Sequence, residues 1–238
     1  MSIEVTKPLI YEQANQIIKG LYGPNAKFRD GQYEAIEATM TRKRVLVVQR
    51  TGWGKSLVYF VCTKLMRKEN KGVTMVVSPL LVLMENQIEA ATKMGLRCDV
   101  LNSTVKDRRS EILDSLEKDE LDLILVTPET LFSDEVQKRL KNIKIGLFVI
   151  DEAHCISDWG HDFRLEYGNL KSVISSLPNT VPIFATTATA GSVSDGKAAI
   201  ACVASTSPPF TERIAAITAH IPKSIIIPWT KSFIAVAR

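Results

Sequence analysis

The sequence contains no closely spaced pair of cysteines. Its four cysteines stand at positions 62, 98, 155 and 202 of 238 residues, and no CxxC occurs. This scatter argues against a zinc-binding cluster and against a small fold held together by disulfides. Free thiols suit a reducing compartment, so we expect a cytoplasmic protein.

Long apolar runs are missing as well. No stretch approaches the roughly 18 consecutive apolar residues of a membrane span, and the opening MSIEVTKPLIYEQ lacks the apolar core of a signal peptide. We therefore expect no membrane partner. The 30 Lys and Arg residues only slightly outnumber the 26 Asp and Glu residues, for a net charge of +4. This balance permits a polyanionic partner without demanding one.

Charge is also scarce in one region, residues 191–238. This region has two acidic residues, Asp195 and Glu212, together with five Lys or Arg. Prolines interrupt it repeatedly, and its strand and helix patterns are weak. We therefore divide the chain into an N-terminal helical segment (1–44), a central domain (45–190) and an atypical tail (191–238).

The central domain alternates short apolar runs with amphipathic stretches. Short runs rich in Val, Ile and Leu predict buried strands, and helical spacing of apolar residues predicts the helices between them. We predict strands at 45–49, 73–78, 97–102, 121–127, 145–150 and 181–187, helices at 55–69, 80–94, 106–118 and 133–141, and two helices before residue 45 separated by YGPNAKFRDG. This order predicts an α/β fold, a parallel sheet with helices on both faces.

A phosphate-binding loop is predicted at VLVVQRTGWGKS, where a strand is followed by a glycine-rich turn and a helix. Such a turn points backbone N–H groups at phosphates, at the positive end of the helix dipole. Lys55 would reach the β- and γ-phosphates and Ser56 would bind Mg²⁺. The strict pattern has glycine where this chain has Gln49, and the alternative is an ordinary glycine-rich turn.

Two carboxylates, Asp151 and Glu152, follow the predicted strand IGLFVI. Ligands of open α/β sheets lie at the carboxyl ends of strands, so this pair and the phosphate loop should meet at one edge. Asp151 could hold the magnesium that Ser56 also contacts, and Glu152 could activate water for attack on the γ-phosphate. Taken alone, such a pair is more often the solvated start of a loop.

Several motifs in order resemble those of superfamily 2 helicases, and specifically the RecQ family, over about residues 8–190. They are FRDGQ (28–32), QRTGWGKS (49–56), SPLLVLMENQ (78–87), TPE (127–129), DEAH (151–154), SDWGHDFR (157–164) and TTATA (186–190). The family usually has proline where Arg50 stands. The resemblance implies a RecA-like P-loop NTPase lobe, the first of two, in an ATP-dependent 3′→5′ DNA helicase of repair and recombination.

The resemblance also implies roles for individual residues. Glu152 would be the catalytic base, with Lys55 and His154 in the catalytic group, and Asp151 and Ser56 would bind Mg²⁺. ATP would be bound by Arg29, Gln32, Thr51, Gly52, Gly54, Lys55 and Ser56. Thr187 and Thr189 would couple the nucleotide site to the DNA groove.

DNA contacts are implied for Ser78, Pro79, Gln87, Thr127, Pro128, Glu129, Trp159, His161, Phe163 and Arg164. The last four form an aromatic-rich loop that would sense single-stranded DNA, because aromatic rings stack on any base and arginine adds charge. The alternative for its aromatic residues is a small hydrophobic cluster. The expected partner is thus single-stranded or partly unwound DNA, which would make the protein nucleoid-associated when bound.

The tail does not resemble the second lobe of the family, which carries an arginine that completes the ATP site. We therefore expect a truncated or frame-disrupted helicase chain, or one lobe of a split protein that meets a second lobe in trans. Two other functions compete with a DNA helicase. One is an RNA-directed or non-unwinding translocase of the same superfamily, and the other is a non-enzymatic nucleic-acid-binding remnant.

Overall fold

Six parallel strands form the centre of the computed structural model, which describes residues 3–41, 44–156, 165–188, 199–203 and 233–235. The strands are β1 (Arg44–Val48), β2 (Val73–Val77), β3 (Cys98–Leu101), β4 (Leu123–Val126), β5 (Ile145–Ile150) and β6 (Ile183–Thr187). Their order across the sheet is β3-β4-β2-β5-β6-β1. The predicted parallel sheet is therefore confirmed.

Two further short strands extend this sheet beyond β1. They are β7 (Ala199–Val203) and β8 (Phe233–Ala235). β7 pairs antiparallel with β1, and β8 pairs antiparallel with β7. Part of the region that we predicted as an atypical tail thus continues the central sheet, while the proposed domain boundaries stay a prediction.

Helices cover both faces of the sheet. They are α1 (Ile3–Tyr22), α2 (Gln32–Met40), α3 (Lys55–Lys68), α4 (Leu81–Lys93), α5 (Arg109–Glu117), α6 (Pro128–Leu131), α7 (Asp134–Leu140) and α8 (Leu165–Ser176). Val45 and Val47 of β1 pack in one buried cluster with residues of α1 to α4. Leu46 and Val48 pack in a second cluster with residues of α5 to α8. Side chains alternate across a strand, so each of the six parallel strands contributes to both layers.

One predicted helix, 106–118, is shorter than expected. The segment Ser103–Arg108 is a 3-10 helix with a kink at Val105, and α5 begins only at Arg109. The side chain of Asn102 accepts a hydrogen bond from the backbone N–H of Thr104 at 2.8 Å and starts this tighter turn. Helices α6 and α8 were not predicted. Among the described helices, none is long and apolar enough to cross a bilayer.

Candidate functional site

The loop that joins β1 to α3 has the conformation that a phosphate cradle requires. Gly52 and Gly54 adopt positive φ values of 81° and 95°, which residues other than glycine rarely adopt. Gly54 directly precedes α3, and no side chain caps this helix. The N–H groups of its first turn are therefore available to an anion, as in other phosphate-binding helix N-termini.

Lys55, the first residue of α3, points back onto this loop. Its Nζ donates to the carbonyl oxygens of Gln49 at 2.9 Å and Arg50 at 3.5 Å. Burial lowers the pKa of Lys55, while the negative charges of Glu152 and Asp151 oppose that shift. The ammonium group thus lies within electrostatic reach of both carboxylates, although these residues are far apart in the sequence.

The FRDGQ segment is bonded directly to the same loop. Gln32 is buried, and its Nε2 donates to the carbonyl oxygen of Trp53 at 2.9 Å while its Oε1 accepts from the N–H of Arg29 at 2.9 Å. The guanidinium of Arg29 donates to the carbonyl oxygen of Gly52. The indole of Trp53 donates to the carbonyl oxygen of Asp30 at 3.2 Å. The structure therefore brings together two motifs that the sequence analysis assigned to one nucleotide.

The two carboxylates follow β5 at the neighbouring strand end. The backbone N–H of Asp151 donates to the carbonyl oxygen of Val77, which keeps Asp151 beside β2. Its Oδ1 accepts from the N–H of Glu152 at 3.0 Å, and its Oδ2 accepts from Nε2 of Gln87 at 2.8 Å. Burial raises the pKa of Asp151, with the hydrogen bond from Gln87 acting in the opposite direction. Both carboxylate oxygens are thus held in place.

Glu152 has a backbone conformation that is rare for its residue type. Its φ is 50°, in the left-handed region that costs a residue with a side chain roughly 1–2 kcal/mol. Such strain is found most often at functional sites, where the surrounding structure enforces it. The turn is closed by the N–H of Cys155, which donates to the carbonyl oxygen of Glu152 at 2.9 Å.

Two buried polar groups near this site were not found by sequence reasoning. Burial raises the pKa of the Tyr59 hydroxyl, and the negative charges of Asp151 and Glu152 raise it further. Within the described residues, the Tyr59 hydroxyl and Nε2 of Gln49 have no hydrogen-bond partner. Tyr59 falls one helical turn after Lys55, and this spacing is the one signal in the sequence that could have pointed to it.

The donor set at this edge suits Mg²⁺ better than a transition metal. Among the residues that the structure describes, no group of three His, Cys, Asp or Glu side chains could hold a metal ion. Mg²⁺ does not require such a group, since proteins commonly bind it through one or two carboxylates together with substrate phosphates. A buried, oriented Asp151 carboxylate and the Ser56 hydroxyl fit that chemistry.

Comparison with known proteins decides the family. Residues 29–195 match the DEAD/DEAH box helicase family. The chain belongs to this family. It is 38% identical over 178 residues to the ATP-dependent DNA helicase RecQ of Haemophilus influenzae, an alignment covering 74% of this chain and 28% of that helicase. Identity to RecQ of Bacillus subtilis is 40% over 166 residues, covering 69% of this chain and 27% of the relative.

The resemblance to RecQ helicases is therefore confirmed, and the chain spans about 28% of the length of the first relatives. The solved structure of the DUF1998 helicase MrfA is similar to this chain with a TM-score of 0.57 and 16% sequence identity. The alignment covers 76% of this chain and 29% of that protein. That likeness concerns the fold alone, and it agrees with the RecA-like α/β fold predicted above.

Within this helicase lobe, the predicted DNA contacts occupy different environments. Ser78, Thr127 and Pro128 are buried, whereas Pro79 is half-buried and Glu129 is exposed. The Thr127 hydroxyl caps α6, since it accepts from the N–H of Thr130 at 3.4 Å. Gln87 differs from the other predicted DNA contacts because its side-chain amide donates a hydrogen bond to Asp151. None of these contacts tests a role in DNA binding, which stays a prediction.

The remaining predicted residues lie partly outside the described structure. Trp159, His161, Phe163, Arg164 and Thr189 are outside the described residues, and so is the side chain of His154. Thr187 is buried at the end of β6, and its carbonyl oxygen accepts from the N–H of Gln49 at 3.1 Å. The strand carrying Thr187 is thus joined directly to the phosphate-binding loop. Thr51 and Ser56 lie in this loop and in the first turn of α3.

Proposed function

We propose that the protein is the first RecA-like lobe of a RecQ-type DNA helicase, in which ATP hydrolysis drives 3′→5′ unwinding of DNA. One observation carries this proposal. The Lys55 ammonium lies on the loop that follows β1, and Asp151 and Glu152 follow β5, which runs parallel to β1 on the other side of β6, so these groups lie at the same sheet edge. A nucleotide site needs this convergence of a cation, a metal-binding carboxylate and a base.

The triphosphate would lie at the N-terminus of α3. Lys55 would exchange the carbonyl oxygens of Gln49 and Arg50 for β- and γ-phosphate oxygens, and the N–H groups of Thr51, Gly52 and Gly54 would surround the phosphates. Mg²⁺ would be held by Ser56 and Asp151, and when bound it neutralises charge on the transferred phosphoryl group. Gln32 and Arg29 would face the adenine end.

Hydrolysis would then depend on Glu152. Its carboxylate accepts a proton as a water oxygen bonds to the γ-phosphorus, and the bond from that phosphorus to the β–γ bridging oxygen breaks to release ADP and phosphate. The left-handed backbone at Glu152 supports this assignment, because the fold maintains a strained conformation there.

DNA binding and its coupling to ATP would involve the elements that surround this edge. Ser78, Pro79, Thr127, Pro128 and Glu129 would contact the DNA backbone, and the loop with Trp159, His161, Phe163 and Arg164 would bind unstacked bases. His154, Thr187 and Thr189 would relay the nucleotide state. From this proposal we expect the protein to be cytoplasmic and to associate with the nucleoid.

A second lobe, on the same protein or supplied in trans, would complete the site. An arginine contributed to a phosphoryl-transfer site is worth about 10³–10⁵ in rate. We therefore expect the 238-residue chain to bind Mg²⁺–ATP weakly, to hydrolyse it poorly and to unwind little DNA. Robust DNA-stimulated hydrolysis by this chain alone would contradict the need for a second lobe.

The proposal is tested by single-turnover ATP hydrolysis with single-stranded DNA, with RNA and without nucleic acid. Glu152→Gln should keep nucleotide binding and lose about 10²–10⁴ in hydrolysis rate, since it removes a general base. Glu120→Gln is the matched control, because Glu120 is exposed at the far end of the lobe. Equal stimulation by RNA would favour the RNA-directed translocase, and unaltered hydrolysis by Glu152→Gln would contradict the proposed base.

A further inference from the structure

Gln87 connects helix α4 to the carboxylate that follows β5. The two side chains are 64 residues apart in sequence, yet Nε2 of Gln87 donates to Oδ2 of Asp151 at 2.8 Å. Strand pairing explains this contact. β2, which leads into α4, lies parallel to β5 with Val77 opposite Ile150, so both chain segments leave the sheet at one edge.

The chemistry of the pair determines how the amide is oriented. An ionised carboxylate only accepts hydrogen bonds, so the NH₂ group of Gln87 must face it and the amide oxygen must point away. That oxygen, Oε1, is buried, and within the described residues it has no hydrogen-bond partner. A buried acceptor without a partner is destabilising, which calls for a donor that binds there in the working protein.

The oxygens of Asp151 are left with limited freedom. Oδ1 accepts from the N–H of Glu152 and Oδ2 accepts from Gln87. These two hydrogen bonds fix the rotation of the carboxylate, and therefore the direction in which its oxygens would face a cation.

We propose that Gln87 is a positioning residue of the metal site, which orients Asp151 through its NH₂ group and accepts a hydrogen bond from a metal-bound water at Oε1. This inference rests on the proposed function, since it assumes that Asp151 holds Mg²⁺. Mg²⁺ commonly keeps several of its waters in proteins, and these waters are strong donors. The prediction that Gln87 contacts DNA stays untested and is the alternative to this role.

The test measures metal affinity directly. Mn²⁺ replaces Mg²⁺ as the probe, and electron paramagnetic resonance follows free Mn²⁺ during titration of the protein with a saturating non-hydrolysable ATP analogue. Gln87→Leu removes both the donor and the acceptor, and should weaken Mn²⁺ binding about 10–100-fold, as removing outer partners of metal ligands typically does. Binding of the analogue without metal should not change.

Gln137→Leu is the matched control. Gln137 is also half-buried and also donates one hydrogen bond, to the carbonyl oxygen of Leu131 at 2.7 Å, but it lies on α7 in the opposite layer. It should bind Mn²⁺ as the wild type does. Gln87→Met keeps the length of the side chain and serves as a second test if the leucine variant does not fold.

The outcomes separate this inference from the proposed function. If the wild type binds no Mn²⁺ with the analogue, the proposed nucleotide site is wrong. If the wild type binds Mn²⁺ and the folded Gln87 variants bind it equally well, the positioning role is wrong while the site stands. Loss of single-stranded DNA affinity with unaltered Mn²⁺ binding would also overturn the inference, and would restore the predicted DNA contact.

Discussion

Replacing Gly54 with alanine should damage the phosphate-binding loop in two separable ways. The first is backbone strain, because φ at Gly54 is 95°. The second is a collision, because an alanine Cβ would lie 2.7 Å from Nε2 of Gln32. Gln32 is buried and holds the carbonyl oxygen of Trp53, so it must move and break that hydrogen bond.

The two contributions can be assigned magnitudes. A side chain in the left-handed region costs roughly 1–2 kcal/mol. Leaving the buried Gln32 amide without its partner costs about 1–3 kcal/mol more. Gly54→Ala should therefore lower the free energy of unfolding by about 2–5 kcal/mol, and it should also weaken nucleotide binding because Gln32 no longer positions the loop.

Two other glycines provide matched controls. Gly52 has a φ of 81°, but a Cβ there would meet nothing within 4 Å, so Gly52→Ala should show the strain of roughly 1–2 kcal/mol alone. Gly20 is exposed near the end of α1, also with nothing within 4 Å. Gly20→Ala should stabilise the protein by roughly 0.5–1 kcal/mol, because alanine is the better helix former.

Urea denaturation followed by circular dichroism measures all three variants. The expected order of stability is Gly20→Ala, wild type, Gly52→Ala and then Gly54→Ala. Equal destabilisation by Gly52→Ala and Gly54→Ala would refute the collision with Gln32. A stabilising effect of Gly52→Ala would refute the strain argument for the loop as a whole.

Two further predictions concern buried polar groups. Burial tends to raise the pKa of the Asp122 carboxyl, but hydrogen bonds from Arg97 hold that pKa below its usual value of about 4. The ionised carboxylate therefore stabilises the fold above about pH 4, and this stabilisation is lost as the pH falls below that value. Asp122→Asn should accordingly cost about 1–3 kcal/mol at pH 7, and in urea titrations at several pH values this difference from the wild type should shrink in acid. Tyr59→Phe removes a buried hydroxyl that has no partner in the described structure, so it should leave the unfolding free energy unchanged or raise it by about 1 kcal/mol. A loss of more than about 1 kcal/mol in thermal or urea unfolding would show that the Tyr59 hydroxyl is bonded.

Local patterns predicted much of the lobe. Each of the six parallel strands was predicted within two residues of its observed ends, because short β-branched runs between turn residues have few alternatives. The helix predicted at 55–69 also agrees closely with the observed helix α3, which ends at Lys68. The segment 106–118 was less predictable, because the side chain of Asn102 accepts a hydrogen bond from the N–H of Thr104 and starts a 3-10 turn before α5.

At the candidate site, too, some features could be predicted from the sequence and others could not. Lys55, Ser56, Asp151 and Glu152 could be identified from the sequence, because each stands at the end of a strand or the start of a helix in a recognisable motif. The left-handed backbone of Glu152 could not be identified in this way, since glutamate has no preference for that conformation and only its packed surroundings impose it.

The sequence by itself therefore determined the class of fold, the edge of the sheet where the candidate site lies and the family of the chain. Only the tertiary structure decided which contacts these side chains make at the site. Gln32 holds the loop through Trp53, and Gln87 holds Asp151 across 64 residues. The physical reason is that strand order sets these contacts, and the order in the sheet does not follow the order in the chain.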